Sequence, residues 1–374
     1  MDSKKIFILV NSLSNGGGEK AAADLANSMS STGKSVSIIL IENNIKYSVE
    51  KSVDIICSPL SKYLTGSKLS FVLNITCLLK LLLCIRGNKD CIVISHLFRS
   101  NYINAICRYL IKYQSILVTH GSIEKYKFNK SLLNKINLSL IKILYRKGDK
   151  RIFLTEGMLE AFKNRIPATN NYVVQNCIDV DKINLDANVQ NKLEEEKLPK
   201  DYFIFVGRLS SVKNIPEIIS VFNSLKKYNL LIVGSGEEYT YLKELAKGSQ
   251  NIFFIGSKNN PYLYMKHAKA LLLSSRSEGF PNVLLESLAL GVPIISTDCK
   301  TGPREILTID SDLTTDYYNN SLGVLYRYMS PSSLKSALID FETMRFDKDK
   351  MVNRSREFDK DVIAEKYEMI LNDI

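Results

Sequence analysis

Two α/β domains, each built on a mostly parallel sheet, are what this sequence predicts. Three observations carry that expectation. A chain of 374 residues is long for one hydrophobic core and natural for two. Short Val/Ile/Leu runs alternate with helical patterns, the order that lays parallel strands under crossover helices. The alternation breaks in the stretch Asn176–Asp201, where Glu194-Glu195-Glu196-Lys197-Leu198-Pro199-Lys200 is polar and contains a breaker, and it restarts at Tyr202. Hydrophobic content of 45% and charged content of 24% describe an ordinary soluble globular protein.

In chain order, Lys5–Val10 has a buried-strand pattern and gives out into Asn11-Ser12-Leu13-Ser14-Asn15-Gly16-Gly17-Gly18-Glu19-Lys20. A helix of small residues follows from Ala21. Glycines between a first strand and a first helix let backbone approach a ligand closely, so Gly16, Gly17 and Gly18 are candidate ligand contacts. The loop lacks the Gly-Lys-Ser/Thr ending of a Walker A sequence and is not G-x-G-x-x-G. Val36–Ile41, Cys91–Ser95 and Ser115–Thr119 are further strands, the last two running into His96 and His120. Ligands bind at the carboxyl ends of strands in an open α/β sheet. Each histidine is therefore either a ligand contact or a hydrogen-bonded structural residue, and His267, in a helical stretch, is a surface or packing residue.

Leu69–Ile85 is apolar but interrupted by Ser70, Asn74, Thr76 and Lys80. It falls short of the roughly 20 residues a membrane span needs and is expected to be a packed or interfacial helix. Ile123–Arg151 is basic, with Lys125, Lys127, Lys130, Lys135, Lys142, Arg146, Lys147, Lys150 and Arg151 against Glu124 and Asp149, a net +7. At helical spacing Leu133, Leu140 and Leu144 share one face, with Lys135, Lys142 and Arg146 opposite. Net charge is +11, unevenly placed: residues 1–175 carry +14 and residues 176–374 carry −3. An anionic lipid surface, a nucleic acid or a phosphorylated substrate would each match the basic half.

Seven scattered cysteines without C-x-x-C favour reduced thiols in a cytoplasmic protein. The first apolar stretch, Ile6–Val10, is too short for a signal peptide and runs straight into a polar loop.

The second half opens with the strand Tyr202–Val206, then Gly207-Arg208-Leu209-Ser210-Ser211-Val212-Lys213-Asn214, then a helix with Pro216 near its start. Arg208 and Lys213 thus stand at a strand's carboxyl edge, where two fixed cations can hold a diphosphate. Leu230–Val233 leads into Gly234-Ser235-Gly236-Glu237, and Asn251–Ile255 into Gly256-Ser257-Lys258-Asn259. Ala270–Leu273 ends in Ser274-Ser275-Arg276-Ser277, and Glu278-Gly279-Phe280-Pro281 precedes a helix containing Glu286. With Pro281 as first helical residue, the free amides of Asn282, Val283 and Leu284 form an anion site between two carboxylates. The strand Val292–Ser296 closes this unit before Asp298-Cys299-Lys300-Thr301-Gly302-Pro303. Ile363, Tyr367, Ile370 and Leu371 then mark a closing helix within Phe358–Leu371.

Glu278-Gly279-Phe280-Pro281-Asn282-Val283-Leu284-Leu285-Glu286 resembles the Glu-x7-Glu signature of retaining glycosyltransferases of family 4, although glycine is commoner at the position of Pro281. Gly207-Arg208-Leu209 with Lys213, and the later Gly302-Pro303-Arg304-Glu305, are similar to other motifs of that family, in the branch that builds bacterial surface polysaccharides and lipid-linked oligosaccharides. Val173–Asp179 is similar to the Pro-Asn-Gly-Ile-Asp turn that closes the first domain, with Gln175 and Cys177 in place of proline and glycine.

The resemblance implies the GT-B fold: two Rossmann-like domains facing across a cleft, with a C-terminal helix crossing back to the first. The domains expected are 1–178 with the closing helix 356–374, and 179–355. It implies transfer, with retention and without a bound metal or other cofactor, of a hexose or N-acetylhexosamine. The donor expected is a nucleotide-diphosphate sugar such as a UDP-sugar, and the acceptor a polyprenyl-diphosphate-linked glycan. Arg208 and Lys213 would hold the diphosphate, Glu286 the ribose hydroxyls and Glu278 the sugar, with His120 approaching from the first domain. Gly234, Gly236, Lys258, Asn259, Gly279, Phe280, Asn282, Val283 and Leu284 would complete the nucleotide-sugar site. Asp179-Val180-Asp181 and Asp310-Ser311-Asp312 match the metal-binding D-x-D of transferases with the other common fold, but neither follows a convincing strand. The basic first half is expected to rest on the anionic inner face of the plasma membrane. A sugar-nucleotide epimerase of similar fold, or a basic nucleic-acid-binding protein, are the alternatives. The first is disfavoured by the Glu278–Glu286 loop and the second by the lack of any recognition motif or stacking platform.

Overall fold

The computed structural model describes residues 4–14, 16–66, 71–88, 90–121, 123, 132–189, 198–310 and 313–373. Lys125, Lys127, Lys130 and Glu124 of the basic segment, Leu69 and Ser70, Glu194–Lys197 of the linker, and Ser311-Asp312 lie outside the described residues. The chain divides into two compact units, residues 1–177 with 360–374, and residues 178–359.

The first unit runs β1 (Ile6–Val10), α1 (Gly17–Ser31), β2 (Val36–Leu40), β3 (Asp54–Cys57), α2 (Ser61–Leu64), α3 (Val72–Arg86), β4 (Ile92–His96), α4 (Phe98–Leu110), β5 (Gln114–Thr119), α5 (Leu132–Leu144), β6 (Lys150–Phe153), α6 (Glu156–Phe162) and β7 (Asn171–Val173). Its strands pair in parallel in the order β3-β2-β1-β4-β5-β6-β7. The order reverses between β1 and β4, and that reversal opens a crevice at the strands' carboxyl ends. The central strands are buried on both faces, which is why β1, β2, β4 and β5 read as mostly apolar runs. Phe7, Leu9, Ile39 and Val93 present one face of the sheet to Leu73, Cys77, Leu81 and Ile85 of α3 and to Ile103 and Cys107 of α4.

The closing helix, Lys360–Asn372, belongs to this unit and packs on α1. Ser28 Oγ donates to Asp361 (3.1 Å), and Lys34 pairs with Glu368 (3.2 Å). Lys150 Nζ donates to the carbonyls of Ile370 and Asp373 at its far end.

That contact corrects the expected basic face. Lys150 and Arg151 are buried in β6, and burial pulls both below their ordinary pKa values. The Arg151 guanidinium donates to the carbonyls of Tyr145, Gly148 and Thr169 and to Asn171 Oδ1, so it is internal scaffolding. Lys135, Lys142 and Arg146 are exposed on α5, together with Ile136 and Ile143. The line α5 buries runs through Ile141 and on to Tyr145, with Leu140 and Leu144 only half-buried; the Leu133 side chain lies outside the described residues. Among the described residues no helix is long and apolar enough to cross a membrane. All seven cysteines are free.

The second unit runs α7 (Val180–Ala187), β8 (Tyr202–Val206), α8 (Ile215–Ser224), β9 (Asn229–Val233), α9 (Tyr239–Leu245), β10 (Ile252–Gly256), α10 (Tyr262–Met265), β11 (Leu271–Leu273), α11 (Asn282–Ala289), β12 (Ile294–Thr297), α12 (Pro303–Leu307), β13 (Tyr317–Asn319), β14 (Gly323–Tyr326), α13 (Pro331–Asp340) and α14 (Lys348–Arg356). The order is β10-β9-β8-β11-β12-β14-β13, parallel except for the antiparallel edge strand β13. Phe203, Phe205, Phe222, Leu230 and Leu272 lie at its core. The reversal here falls between β8 and β11, whose following loops carry Arg208 and Glu278. Asp179 of the first D-x-D caps α7, its Oδ1 accepting from the Lys182 amide at 2.9 Å.

Candidate active site

In the second unit, three loops at the β8/β11 reversal are laced together. After β8 the chain passes Arg208, makes a 3-10 turn over Ser211–Lys213, and reaches Asn214 in the left-handed region at φ 50°. Ser274 Oγ, just past β11, donates to the carbonyls of Lys213 (2.8 Å) and Asn214 (3.1 Å). The Arg276 amide donates to the Val212 carbonyl at 2.8 Å, and Thr301 Oγ1, past β12, donates to the Glu278 carbonyl at 2.5 Å. The result is an ion pair between two of the expected site residues, Lys213 Nζ to Glu278 Oε1 at 2.5 Å. Arg208 is exposed on the same loop, and its side chain has no ion-pair or hydrogen-bond partner among the described residues.

Glu286 lies on α11, buried, and accepts a hydrogen bond from Tyr262 Oη at 3.2 Å. Tyr262 was not legible as a site residue, because only the placement of α10 brings it to α11. Two expectations about this helix need correction. Pro281 is extended (ψ 106°) and precedes α11 instead of opening it. The Leu284 amide donates to the Pro281 carbonyl at 3.0 Å, so it is not available to an anion. Phe280 packs on Phe358, ring centroids 5.3 Å apart, beside Gly279. Arg304 of the Gly-Pro-Arg-Glu stretch is spent on a two-pronged bond to Asp298 (2.7 and 2.6 Å). Lys258 rests over the Tyr264 ring at 5.4 Å, with Asn259 exposed beside it.

At Gly234 and Gly236 the place of a side chain is taken by protein backbone. A Cβ on Gly234 would come within 1.9 Å of the Gly207 carbonyl, and one on Gly236 within 2.2 Å of the Leu209 carbonyl. These glycines let the β9 turn lie directly against the loop that carries Arg208, and backbone bonds from Gly207 to Val233 and from Leu209 to Ser235 fix the contact. Below the loop, Glu217 is buried and accepts from Asn214 Nδ2 at 2.6 Å. Burial raises the Glu217 carboxyl, partly offset by the Tyr326 hydroxyl and the Asn214 amide.

In the first unit, Gly17 and Gly18 are the first two residues of α1, and the Glu19 carboxylate covers the Cβ position of Gly16. A Cβ on Gly18 would lie 2.8 Å from Leu97 and 3.1 Å from the His120 ring, so its bareness serves that ring. His120 and His96, at the ends of adjacent strands, are bonded to each other, His96 Nδ1 to His120 Nε2 at 2.8 Å. Burial pushes His120 down to about 4, with the Asn176 amide offsetting part of the drop, and pushes His96 well below its ordinary value. Both rings are therefore neutral near pH 7.

Two family profiles match consecutive halves of the chain, "Glycosyltransferase Family 4" over residues 15–182 and "Glycosyl transferases group 1" over residues 188–358. Solved two-domain structures match along almost the whole chain. The lipopolysaccharide outer core galactosyltransferase WaaB in its apo form covers 98% of this chain and 99% of its own at a TM-score of 0.67 and 18% identity. The chain is a family 4 glycosyltransferase with the GT-B fold. A second structural neighbour of the enzyme, Anabaena HepE in complex with UDP and glucose, has a TM-score of 0.76 at 15% identity, over 99% of this chain and 100% of that one.

Among curated relatives, this glycosyltransferase is similar to a Campylobacter jejuni enzyme named N-acetylgalactosamine-N,N'-diacetylbacillosaminyl-diphospho-undecaprenol 4-alpha-N-acetylgalactosaminyltransferase. The two are 29% identical over 380 residues, 96% of this chain and 97% of the relative. An uncharacterized glycosyltransferase of Methanocaldococcus jannaschii is 28% identical over 333 residues, 78% of this chain and 82% of the relative.

Proposed function

We propose that this glycosyltransferase moves a hexose or N-acetylhexosamine from a UDP-sugar to a lipid-linked glycan in bacterial surface polysaccharide synthesis. The nucleotide sugar would bind the second domain and the acceptor the first. The Lys213–Glu278 pair at 2.5 Å is the observation that carries the reading. An ammonium has three donors, so Lys213 can keep Glu278 and still reach a phosphate oxygen. As the glycosidic bond breaks, negative charge grows on the leaving diphosphate and positive charge on the sugar ring. Lys213 with Arg208 faces the first and Glu278 the second, a fixed dipole matched to the charge separation. Two cations held at this edge support transfer without a bound metal. Attack from the face the leaving group departs, with the leaving phosphate oxygen taking the acceptor's proton, would retain the donor's configuration. His120 would approach the sugar and Glu286 the ribose, Tyr262 holding the Glu286 carboxylate. The relative that acts on a diphospho-undecaprenol glycan and the neighbour crystallised with UDP and glucose support the substrate classes.

The partner proposed for the first domain is the anionic inner face of the plasma membrane, with the enzyme peripheral and cytoplasmic. Phe71, the residue before α3, and Ile75, Leu79 and Leu83 at four-residue steps along it are 61%, 57%, 55% and 63% exposed. Ile106, Tyr109 and Leu110 of α4, which packs against both α3 and α5, are exposed too, and so are Lys62, Arg86, Lys112 and Lys142 of the same elements and their flanks. Apolar side chains interspersed with cations fit an interface of acyl chains and anionic headgroups.

A thermal-shift panel of nucleotide sugars tests the donor, since a ligand at about 100 times its Kd adds about 2.7 kcal/mol of stability. Product NMR tests the stereochemistry, and EDTA the metal. An inverted product, or activity restored only by Mn²⁺ or Mg²⁺, would overturn the mechanism.

A further inference from the structure

We infer that Glu217 is a positioning residue for this enzyme: buried beneath the loop that carries Arg208 and Lys213, its carboxylate holds the Asn214 side chain and so fixes the turn that presents Lys213. The inference rests on the reading that Lys213 meets the donor's diphosphate.

Glu217 stands where an apolar residue would be at home. It lies in the first turn of α8 and is 7% exposed, and its neighbours Ile215, Ile218, Ile219, Val221 and Phe222 all belong to the core of the second unit. A carboxylate taken out of water at such a place is costly unless it is bonded. Its bonds run to the loop. Oε2 accepts from Asn214 Nδ2 at 2.6 Å, and the Glu217 amide donates to the Asn214 carbonyl at 3.1 Å. Asn214 is thereby clasped by both backbone and side chain.

The clasp sits on a demanding turn. Asn214 is in the left-handed region at φ 50° and ψ 38°, which asparagine tolerates when its side chain is bonded locally. The Lys213 amide donates to the Ser210 carbonyl at 2.9 Å, and the Asn214 amide to the Ser211 carbonyl at 3.3 Å. Lys213 leaves this turn to reach Glu278 Oε1 at 2.5 Å. An ammonium on a flexible four-carbon stem is aimed by where its Cα sits, so a relaxed turn would carry Lys213 away from the diphosphate.

Behind Glu217 the polar run continues into the sheet. Tyr326, fully buried at the end of β14, stands opposite Thr297 of β12 in register. Burial raises the Glu217 carboxyl, and the nearby Tyr326 hydroxyl opposes that rise. Among the described residues, Glu217 Oε1, Tyr326 Oη and Thr297 Oγ1 are buried without a partner in bonding geometry. A water shared by the three would complete a run Thr297–Tyr326–Glu217–Asn214 from the sheet to the loop.

Turnover of the intact enzyme is read as UDP released from UDP-glucose, UDP-galactose and UDP-N-acetylgalactosamine. Glu217→Leu should lower it roughly tenfold, the scale of one lost hydrogen bond to a charged group. Glu217→Gln, whose amide oxygen can still accept from Asn214 Nδ2, should recover most of that loss. Asn214→Gly cuts the same bond and is at home at positive φ, so it should reproduce the loss even if the leucine variant folds poorly. In a Lys213→Ala background, Glu217→Leu should cost nothing further, because its effect runs through the ammonium. A further tenfold loss there overturns the positioning role, as do full activity in Glu217→Leu and equal losses in the Gln and Leu variants. Crystal structures of the wild type and Asn214→Gly give a readout that needs no donor. The variant should show a shifted turn and a broken Lys213–Glu278 pair, and an unmoved turn with the pair intact overturns the inference. Wild-type rates in Lys213→Ala would instead overturn the diphosphate contact itself.

Discussion

The apolar line on α3 allows a quantitative test of membrane docking. Burying a side chain such as Leu, Ile or Phe completely is worth about 1.5–3 kcal/mol. Phe71, Ile75, Leu79 and Leu83 keep more than half of their surface in water, 55–63%. Transfer of each into the acyl boundary should then yield about 1–1.5 kcal/mol, or roughly 5 kcal/mol for the four. Replacing Ile75 and Leu79 by glutamine preserves helix propensity and removes half of that, so partitioning should fall roughly 30–150-fold. Folding should be little changed, because the buried line of α3 is Leu73, Cys77, Leu81 and Ile85. The assay is co-sedimentation with phosphatidylglycerol and phosphatidylcholine vesicles at about 0.1 M and 1 M salt, where the Debye length falls from about 10 Å to 3 Å. The glutamine variant should lose the same factor at both salts. Charge reversal at Lys135, Lys142 and Arg146 should weaken binding at about 0.1 M salt, by about 1 kcal/mol for each lost cation and about as much again for each added anion, and should have little effect at about 1 M. Unchanged partitioning of the glutamine variant at both salts would refute insertion by α3. Equal binding of the wild type to neutral vesicles would refute the electrostatic share.

Three other outcomes are expected. Arg208→Ala and Lys213→Ala should each lower turnover by roughly 10²–10³-fold with nearly unchanged melting temperature, and wild-type rates in either would remove that residue from the mechanism. Gly236→Ala should drive a methyl into the Leu209 carbonyl, destabilise the second domain by about 1–3 kcal/mol and cut turnover by displacing Arg208; a stable, active variant would contradict the packing. His120 is held at about 4 against an ordinary 6.5, so the folded chain refuses a proton that the unfolded chain accepts. Stability is unaffected above the ordinary value and falls as pH drops toward the folded one. The loss between about pH 7.5 and 5 should be about 2 kcal/mol. Denaturant titrations of wild type and His120→Asn check it, because the variant should lose correspondingly less; equal losses would count against a buried neutral ring.

Much of this architecture was legible because buried parallel strands are mostly apolar runs. β1, β2, β4, β5 and β9 read as mostly aliphatic runs, and β8, Tyr202–Val206, as an aromatic-rich apolar one. β6 did not, since Lys150-Arg151-Ile152-Phe153 looks like a surface stretch until the carbonyls that receive both cations are known. β3, β7 and β13 lie at sheet edges, where partial exposure weakens the pattern. The site residues were read from their position after strands, and Lys213 and Glu278 do meet. Which partner each chose was not legible: the His96–His120 bond depends on the register of two strands, and the Tyr262–Glu286 bond on how one helix docks against another. At Gly234 and Gly236 the structure shows close approach to backbone, which leaves the same mark in a sequence as close approach to phosphate.

The placement of the closing helix has a consequence for biogenesis. Lys150 emerges from the ribosome some two hundred residues before the carbonyls of Ile370 and Asp373 that receive its charge. Until then Lys150 lacks those two carbonyls, and one side of α1 is uncovered. The second unit is contiguous and can fold while synthesis continues; the first, though begun earlier, finishes last. A nascent chain stalled within 178–359 would therefore expose the bare α1 surface to whatever chaperone is at hand. Release of the final helix would act as the latch that ends that exposure.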